Sequence, residues 1–124
     1  MRLPSALTTT ATAAALFIGN ASAFSGQMAA SEYYTSAQLG YGQSITLTDY
    51  YTGSQYYAWL YGGFNGCVDK KCTVYMRETT APASYKFDAL MWKTDDGCHN
   101  IDFQGALDAG HGYCCGSLPC DFTA

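Results

Sequence analysis

The chain has 124 residues, with ten acidic side chains against six basic ones and a formal charge of −4. Its 48% hydrophobic and 15% aromatic content is that of a folded domain rather than a disordered tail. No basic run is present, which excludes nucleic-acid backbone or anionic-membrane binding as the main task, since both draw on clustered Lys and Arg.

Met1-Arg2, an apolar run through Ala13, Leu16, Phe17 and Ile18, and the triplet Ala21-Ser22-Ala23 have the layout of an export signal cut before Phe24. The run is shorter than the roughly 20 apolar residues of a membrane span, so no membrane span is expected. Residues 1–23 are therefore read as a signal peptide and 24–124 as one secreted domain. Past residue 23, five basic residues face ten acidic ones, a net of −5. The sequon Asn20-Ala21-Ser22 leaves with the signal.

From Phe24 to Leu39, the Met28, Ala29, Ala30 and Ala37 content suits one short helix. Gln43 to Tyr51 alternates Ile45 and Leu47 with Thr46 and Thr48, a strand. Thr52-Gly53-Ser54-Gln55 is a turn, and Tyr56 to Tyr61 completes a hairpin. In that second strand Tyr57, Trp59 and Tyr61 are assigned to the core, and Tyr56 with some neighbours to the outside. Tyr50, Tyr51, Tyr56, Tyr57, Trp59 and Tyr61 exceed what so small a core accepts. The hairpin is thus the candidate binding surface, with Tyr56, Tyr57, Trp59 and Tyr61 as contacts for a protein or a sugar ring. Coverage of both faces, with the N-terminal segment folded over, is the alternative.

Gly62-Gly63-Phe64-Asn65-Gly66 is read as a break. Thr73 to Glu78 is a strand with Val74 and Met76 on one face, and Tyr85 to Trp92 another with Tyr85, Phe87, Ala89 and Met91 aligned. Thr94-Asp95-Asp96-Gly97 is a tight turn, and His99 to Gln104 a short strand carrying Ile101 and Phe103. From Gly105 the tail is expected to be loop held by disulfides. The fold class is β-rich: a small antiparallel sheet or sandwich, disulfide-stabilised, with room for one short helix as an α+β variant.

All six cysteines, Cys67, Cys72, Cys98, Cys114, Cys115 and Cys120, follow the signal. An even count in a short exported chain reads as three disulfides. The adjacent Cys114 and Cys115 are expected to take different partners, because a ring between neighbours is strained. Cys67 and Cys72 either close their own loop around Lys70-Lys71 or pin the tail, and pinning is preferred. Cys98-His99 and the His111 to Cys115 stretch hold zinc-type ligands, but paired Cys-x-x-Cys knuckles are missing. No metal and no cofactor are expected.

His99 and His111 are the candidate acid–base groups, since imidazole titrates near neutrality. Glu78, Arg77 and the two histidines are the ingredients of the small guanyl-specific fungal ribonucleases, which the chain resembles in residue types alone. Arg77 and Glu78 are strand neighbours and point to opposite faces, and both histidines follow them, unlike that family. Non-catalytic function is the favoured reading. The exit site, six later cysteines, the Cys114-Cys115 doublet with Cys120 behind it, and the lack of enzyme motifs resemble small secreted cysteine-rich fungal proteins. Plant-pathogen effectors and killer-toxin-like proteins are the nearest kinds. That resemblance implies an extracellular protein that binds a host or competitor protein or a cell-wall glycan. A ribonuclease-like hydrolase and a carbohydrate-binding module are the alternatives.

Overall fold

A computed structural model describes residues 23–124. The expected export signal falls on residues outside that range, apart from Ala23 at its junction. In chain order the elements are β1 (Ser25–Ala30), β2 (Tyr34–Ser36), β3 (Gly40–Asp49), β4 (Gln55–Tyr61), α1 (Phe64–Val68), β5 (Cys72–Glu78) and β6 (Lys86–Lys93). After these come β7 (Cys98–Asp102), a 3-10 turn (Ala106–Asp108), β8 (His111–Cys115) and β9 (Cys120–Thr123).

The strands form one antiparallel sheet in the order β8-β7-β6-β5-β4-β3-β1-β9, with β2 paired to β3. From β3 to β8 this is a meander, as expected of strands joined by short turns. Yet β8 and β9, consecutive in the chain and joined only by residues 116–119, sit at opposite ends of that order. A four-residue link cannot span a flat sheet of that width, because strands lie about 4.8 Å apart. The sheet is therefore rolled until its two edges meet. At the meeting line a Cβ on Gly112 would lie 2.3 Å from the Thr123 carbonyl oxygen. Glycine lets the two backbones approach there.

Period-two alternation fills the inside of the roll. Met28, Ile45, Leu47, Ala58, Val74, Met76, Ala89, Met91 and Ile101 are all buried. Phe24, Phe87, Phe103 and Phe122 form a connected ring cluster, with Phe24 centroids 5.0 Å from Phe103 and 5.1 Å from Phe122. The β-rich, disulfide-stabilised fold class with one short helix is what the chain adopts.

Four local expectations are corrected. The segment from Phe24 holds β1 and β2, not a helix. Phe24, Gly26 and Met28 all point inward, and a Cβ on Gly26 would sit 1.8 Å from the Thr48 carbonyl oxygen. That alternation outweighs the helical propensity of Met and Ala. The helix lies instead in the glycine-rich stretch expected only to break the chain. Gly62 and Gly63, at φ 74° and 89°, make the break, and α1 then buries Phe64 and Val68. Gln43 anchors α1 by accepting the Phe64 N–H at 2.7 Å while its own amide donates to the Ser31 carbonyl at 2.7 Å. The tail is not mere loop: β8 pairs β7 and β9 pairs β1, with Phe122 in the core.

The fourth correction concerns the cysteines. Cys67 and Cys72 close their own loop rather than pinning the tail. Tail pinning falls to Cys98–Cys115, which crosses from β7 to its partner position on β8. Cys114–Cys120 ties β8 to β9 across the line where the sheet edges meet. The doublet thus takes two different partners, as strain requires.

Candidate functional site

The hairpin faces the opposite way from the sequence assignment. Tyr56 pairs with Leu47 and Ala58 with Ile45, and directly opposed residues share a face. Tyr56, Ala58 and Leu60 therefore enter the core, and Tyr56 is only 4% exposed. Tyr57 and Trp59 are half-buried on the outer face, and Tyr61 is 71% exposed. The physical reason is that Ala58 and Leu60 have no polar handle, whereas Tyr and Trp tolerate a wet edge. Tyr56 is thereby removed from the candidate contacts.

Around Tyr57, Trp59 and Tyr61 the roll adds aromatics that sequence spacing did not collect. Tyr34, which pairs with Gly42 as Tyr61 does, meets Trp59 edge-on at 5.0 Å. Tyr33 stacks on Tyr41 at 5.6 Å, but Tyr41 is the strand neighbour of Gly42 and this pair lies on the other face. Arg77, from β5, lies over the Tyr57 ring at 5.5 Å. Burial raises the Tyr57 phenol above its ordinary value, its hydrogen bond with Tyr34 adds to this, and Arg77 opposes it. The outer face of β2–β4 is thus a packed aromatic patch of Tyr34, Tyr57 and Trp59 with Tyr61 standing proud.

The acid–base candidates are not brought together. Glu78 caps the β5–β6 loop, accepting the N–H groups of Ser84 and Tyr85 at 3.3 and 3.4 Å. His99 points inward against Phe64, with ring centroids 5.2 Å apart. Its Nε2–H donates to the Gly116 carbonyl at 3.0 Å, while its Nδ1 is buried without a protein partner. His111 is on the outer face of β8, bound through Nε2 to Asn100 Oδ1 at 2.8 Å. Glu78 therefore has no histidine as a hydrogen-bond partner among the described residues, so the ribonuclease-like constellation is not assembled. The same residues include no cluster of three metal-ligating side chains. No helix among them is long and apolar enough to cross a membrane.

His111 belongs to a second aromatic surface, on β6–β8. Trp92 and Tyr113 flank Asn100 in one cross-strand row, since Trp92 pairs with Asn100 and Asn100 with Tyr113. His111 lies nearly parallel to Trp92 (12°, centroids 5.3 Å) and to Tyr113 (29°, 6.2 Å). The Lys71 ammonium covers Trp92 at 4.4 Å. Beyond the rings, along the line between β8 and β9, runs a cleft of about 590 Å³. Its walls include His111 and Tyr113 on one side and Ser25, Asp121 and Thr123 on the other. Sequence reading missed Trp92 and Tyr113 as contacts. The available signal was period two: with Phe87, Ala89 and Met91 inward, Trp92 must face out.

The chain matches no protein-family model, no curated protein and no solved structure.

Proposed function

We propose that this is an exported, non-catalytic binding protein of the effector or toxin-like kind, docking on a host or competitor protein through the outer face of β2–β4. The observation that carries the reading is the aromatic patch of Tyr34, Tyr57, Trp59 and Tyr61 with Arg77 at its border. Tyr, Trp and Arg are the residues that dominate binding energy at protein interfaces. Ring-on-ring packing holds them in place before contact, so little side-chain entropy is lost on docking. Three disulfides in one small domain suit an oxidising compartment and resist unfolding by proteases.

The test applies purified wild type, Tyr34→Ala/Tyr61→Ala and His111→Ala to plant leaf tissue and to competitor fungal cultures, with an RNA-cleavage assay alongside. A tissue or growth response lost in the tyrosine variant, with no RNA cleavage by wild type, supports the reading. A response unchanged in the tyrosine variant overturns the docking face. RNA cleavage abolished by His111→Ala overturns the non-catalytic reading.

A further inference from the structure

The surface of β6–β8 carries a chain of constraints that ends at one exposed lone pair. Asn100 is 6% exposed, so its amide must find partners within the protein. Its Nδ2 donates to Thr94 Oγ1 at 3.2 Å and to the Cys98 carbonyl at 3.3 Å. Those two acceptors fix the amide orientation, and Oδ1 is turned toward His111 Nε2 at 2.8 Å. An oxygen acceptor there requires a proton on Nε2. In the neutral imidazole, Nδ1 is then a bare acceptor on an exposed side chain.

The ring of His111 is held nearly parallel to those of Trp92 and Tyr113. Tyr113 is 58% exposed, so its ring is open to a ligand, whereas Trp92 is stacked by His111 and covered by the Lys71 ammonium. The cleft continues from the rings, and its lining includes the polar residues Ser25, Thr123 and Asp121. Asp121 Oδ1 already accepts the Tyr50 hydroxyl at 2.7 Å, which steadies the carboxylate and leaves its other oxygen for a donor. Hydrogen bonding to Asp121 also raises the Tyr50 phenol, so that hydroxyl stays a donor.

Ligand classes separate on this lining. No Lys or Arg lines the cleft, and Lys71, beside the rings, is held over Trp92. An anionic ligand would meet the Asp121 carboxylate with no cation in the wall to offset it. A peptide strand cannot be inserted between β8 and β9, because Gly112 and Thr123 are already in backbone contact. A neutral polyhydroxylated ring suits both halves. Its C–H face lies on the exposed Tyr113 ring, and its hydroxyls donate to His111 Nδ1 and Asp121 and accept from Ser25 and Thr123. At about 590 Å³ the cleft is within the roughly 300–1,000 Å³ range of small-molecule sites.

We infer that the outer surface of β6–β8 and the adjoining β8–β9 cleft form a saccharide subsite for a neutral polysaccharide. It is separate from the β2–β4 face: Trp92, His111 and Tyr113 lie two or more strands away in the sheet order. Glycan attachment and protein docking can therefore occur on one molecule at once. Two nearby cross-links, Cys98–Cys115 and Cys114–Cys120, fix β8, which carries His111 and Tyr113.

The test measures retention on insoluble chitin, β-1,3-glucan and cellulose. Titrations with a chitin hexaose and a β-1,3-glucan hexaose, followed by tryptophan fluorescence, accompany it. Wild type is expected to bind at least one of these and to prefer it to a sulfated glycan. Tyr113→Ala and Asp121→Asn, both at exposed positions, are expected to weaken binding about tenfold or more while keeping the melting temperature. Tyr61→Ala is expected to bind as wild type does, which keeps this result independent of the β2–β4 docking face. Failure to bind all of the neutral probes overturns the inference, as does tighter binding of the sulfated glycan. Loss of binding in Tyr61→Ala with retention in Tyr113→Ala overturns it equally.

Discussion

Removing the disulfides one at a time gives the sharpest check on the rolled sheet. The loops they close differ in length: sequence separations are 5 for Cys67–Cys72, 6 for Cys114–Cys120 and 17 for Cys98–Cys115. Chain entropy alone assigns about 2.2, about 2.4 and about 3.2 kcal/mol to them in that order. With about 4–8 °C per kcal/mol for a domain of this size, the Cys98→Ala/Cys115→Ala pair should lower Tm by roughly 13–25 °C. The Cys114→Ala/Cys120→Ala pair should lower it by roughly 10–19 °C. The second bridge has a further role that loop length ignores, because no ladder registers β8 against β9 among the described residues. Without it the two edges are held by residues 116–119, side-chain packing and the Gly112–Thr123 contact alone. Calorimetry gives the stability ranking, and hydrogen exchange shows where protection is lost. Loss concentrated in β8 and β9, with β4 and β5 still protected, is the expected pattern for the Cys114–Cys120 variant. Uniform loss along the sheet, or a larger Tm drop for Cys67→Ala/Cys72→Ala than for Cys98→Ala/Cys115→Ala, would refute the reasoning.

Further outcomes follow from burial and close contact. Leu60→Ala should cost about 2–5 kcal/mol in denaturant unfolding, because Leu60 is in the core. Its neighbour Tyr61→Ala should stay within about 0.5 kcal/mol, and a reversal would place the hairpin the other way round. Gly112→Val should destabilise by about 1–3 kcal/mol, since even its Cβ collides with the Thr123 carbonyl, and unchanged stability would mean the edges do not meet. In alkali, the phenols of Tyr50, Tyr56 and Tyr57 are raised from 10.0, so the folded state holds their protons more tightly than the unfolded chain. Their contribution to stability is complete below that ordinary value and is lost as pH rises through the raised values. An ultraviolet phenolate titration should show late ionisation coinciding with unfolding, and all tyrosines titrating together in the native protein would contradict it.

Strand positions were legible wherever one face is apolar and the other polar. Ile45 and Leu47 against Thr46 and Thr48, or Phe87, Ala89 and Met91 against Lys86 and Asp88, declare their faces. Legibility failed in β4, where Tyr56 to Tyr61 is amphipathic on both sides. There the face is decided by the partner strand, since Leu47 opposite Tyr56 draws it inward. It failed again in β1 and β8, whose inward positions include Gly26 and Gly112. A glycine that makes room for another backbone leaves no apolar mark in a periodic pattern, so β1 read as helix and β8 as loop. The same blindness hid the second aromatic surface. Trp92 is far in the sequence from His111 and Tyr113 and becomes their neighbour only through β7, whose Asn100 lies between them.

The close approach of β8 and β9 links stability to recognition. A meander that rolls up must end in two edges, and edges that are not paired need another closure. Here that closure is covalent, through Cys114–Cys120, with Gly112 lowering the steric cost of contact. Closure by a bridge at one end and a glycine contact further along leaves outward side chains on the two strands without a ladder drawing them together. Ser25, Asp121 and Thr123 on one bank and His111 and Tyr113 on the other therefore frame a cleft. Had the edges zipped into a regular ladder, their outward side chains would stand at cross-strand spacing and fill that space. The doublet Cys114-Cys115 serves both ends of this arrangement. One cysteine reaches forward to β9 to close the roll, and the other reaches back to β7, where the row of Asn100 and its flanking rings begins.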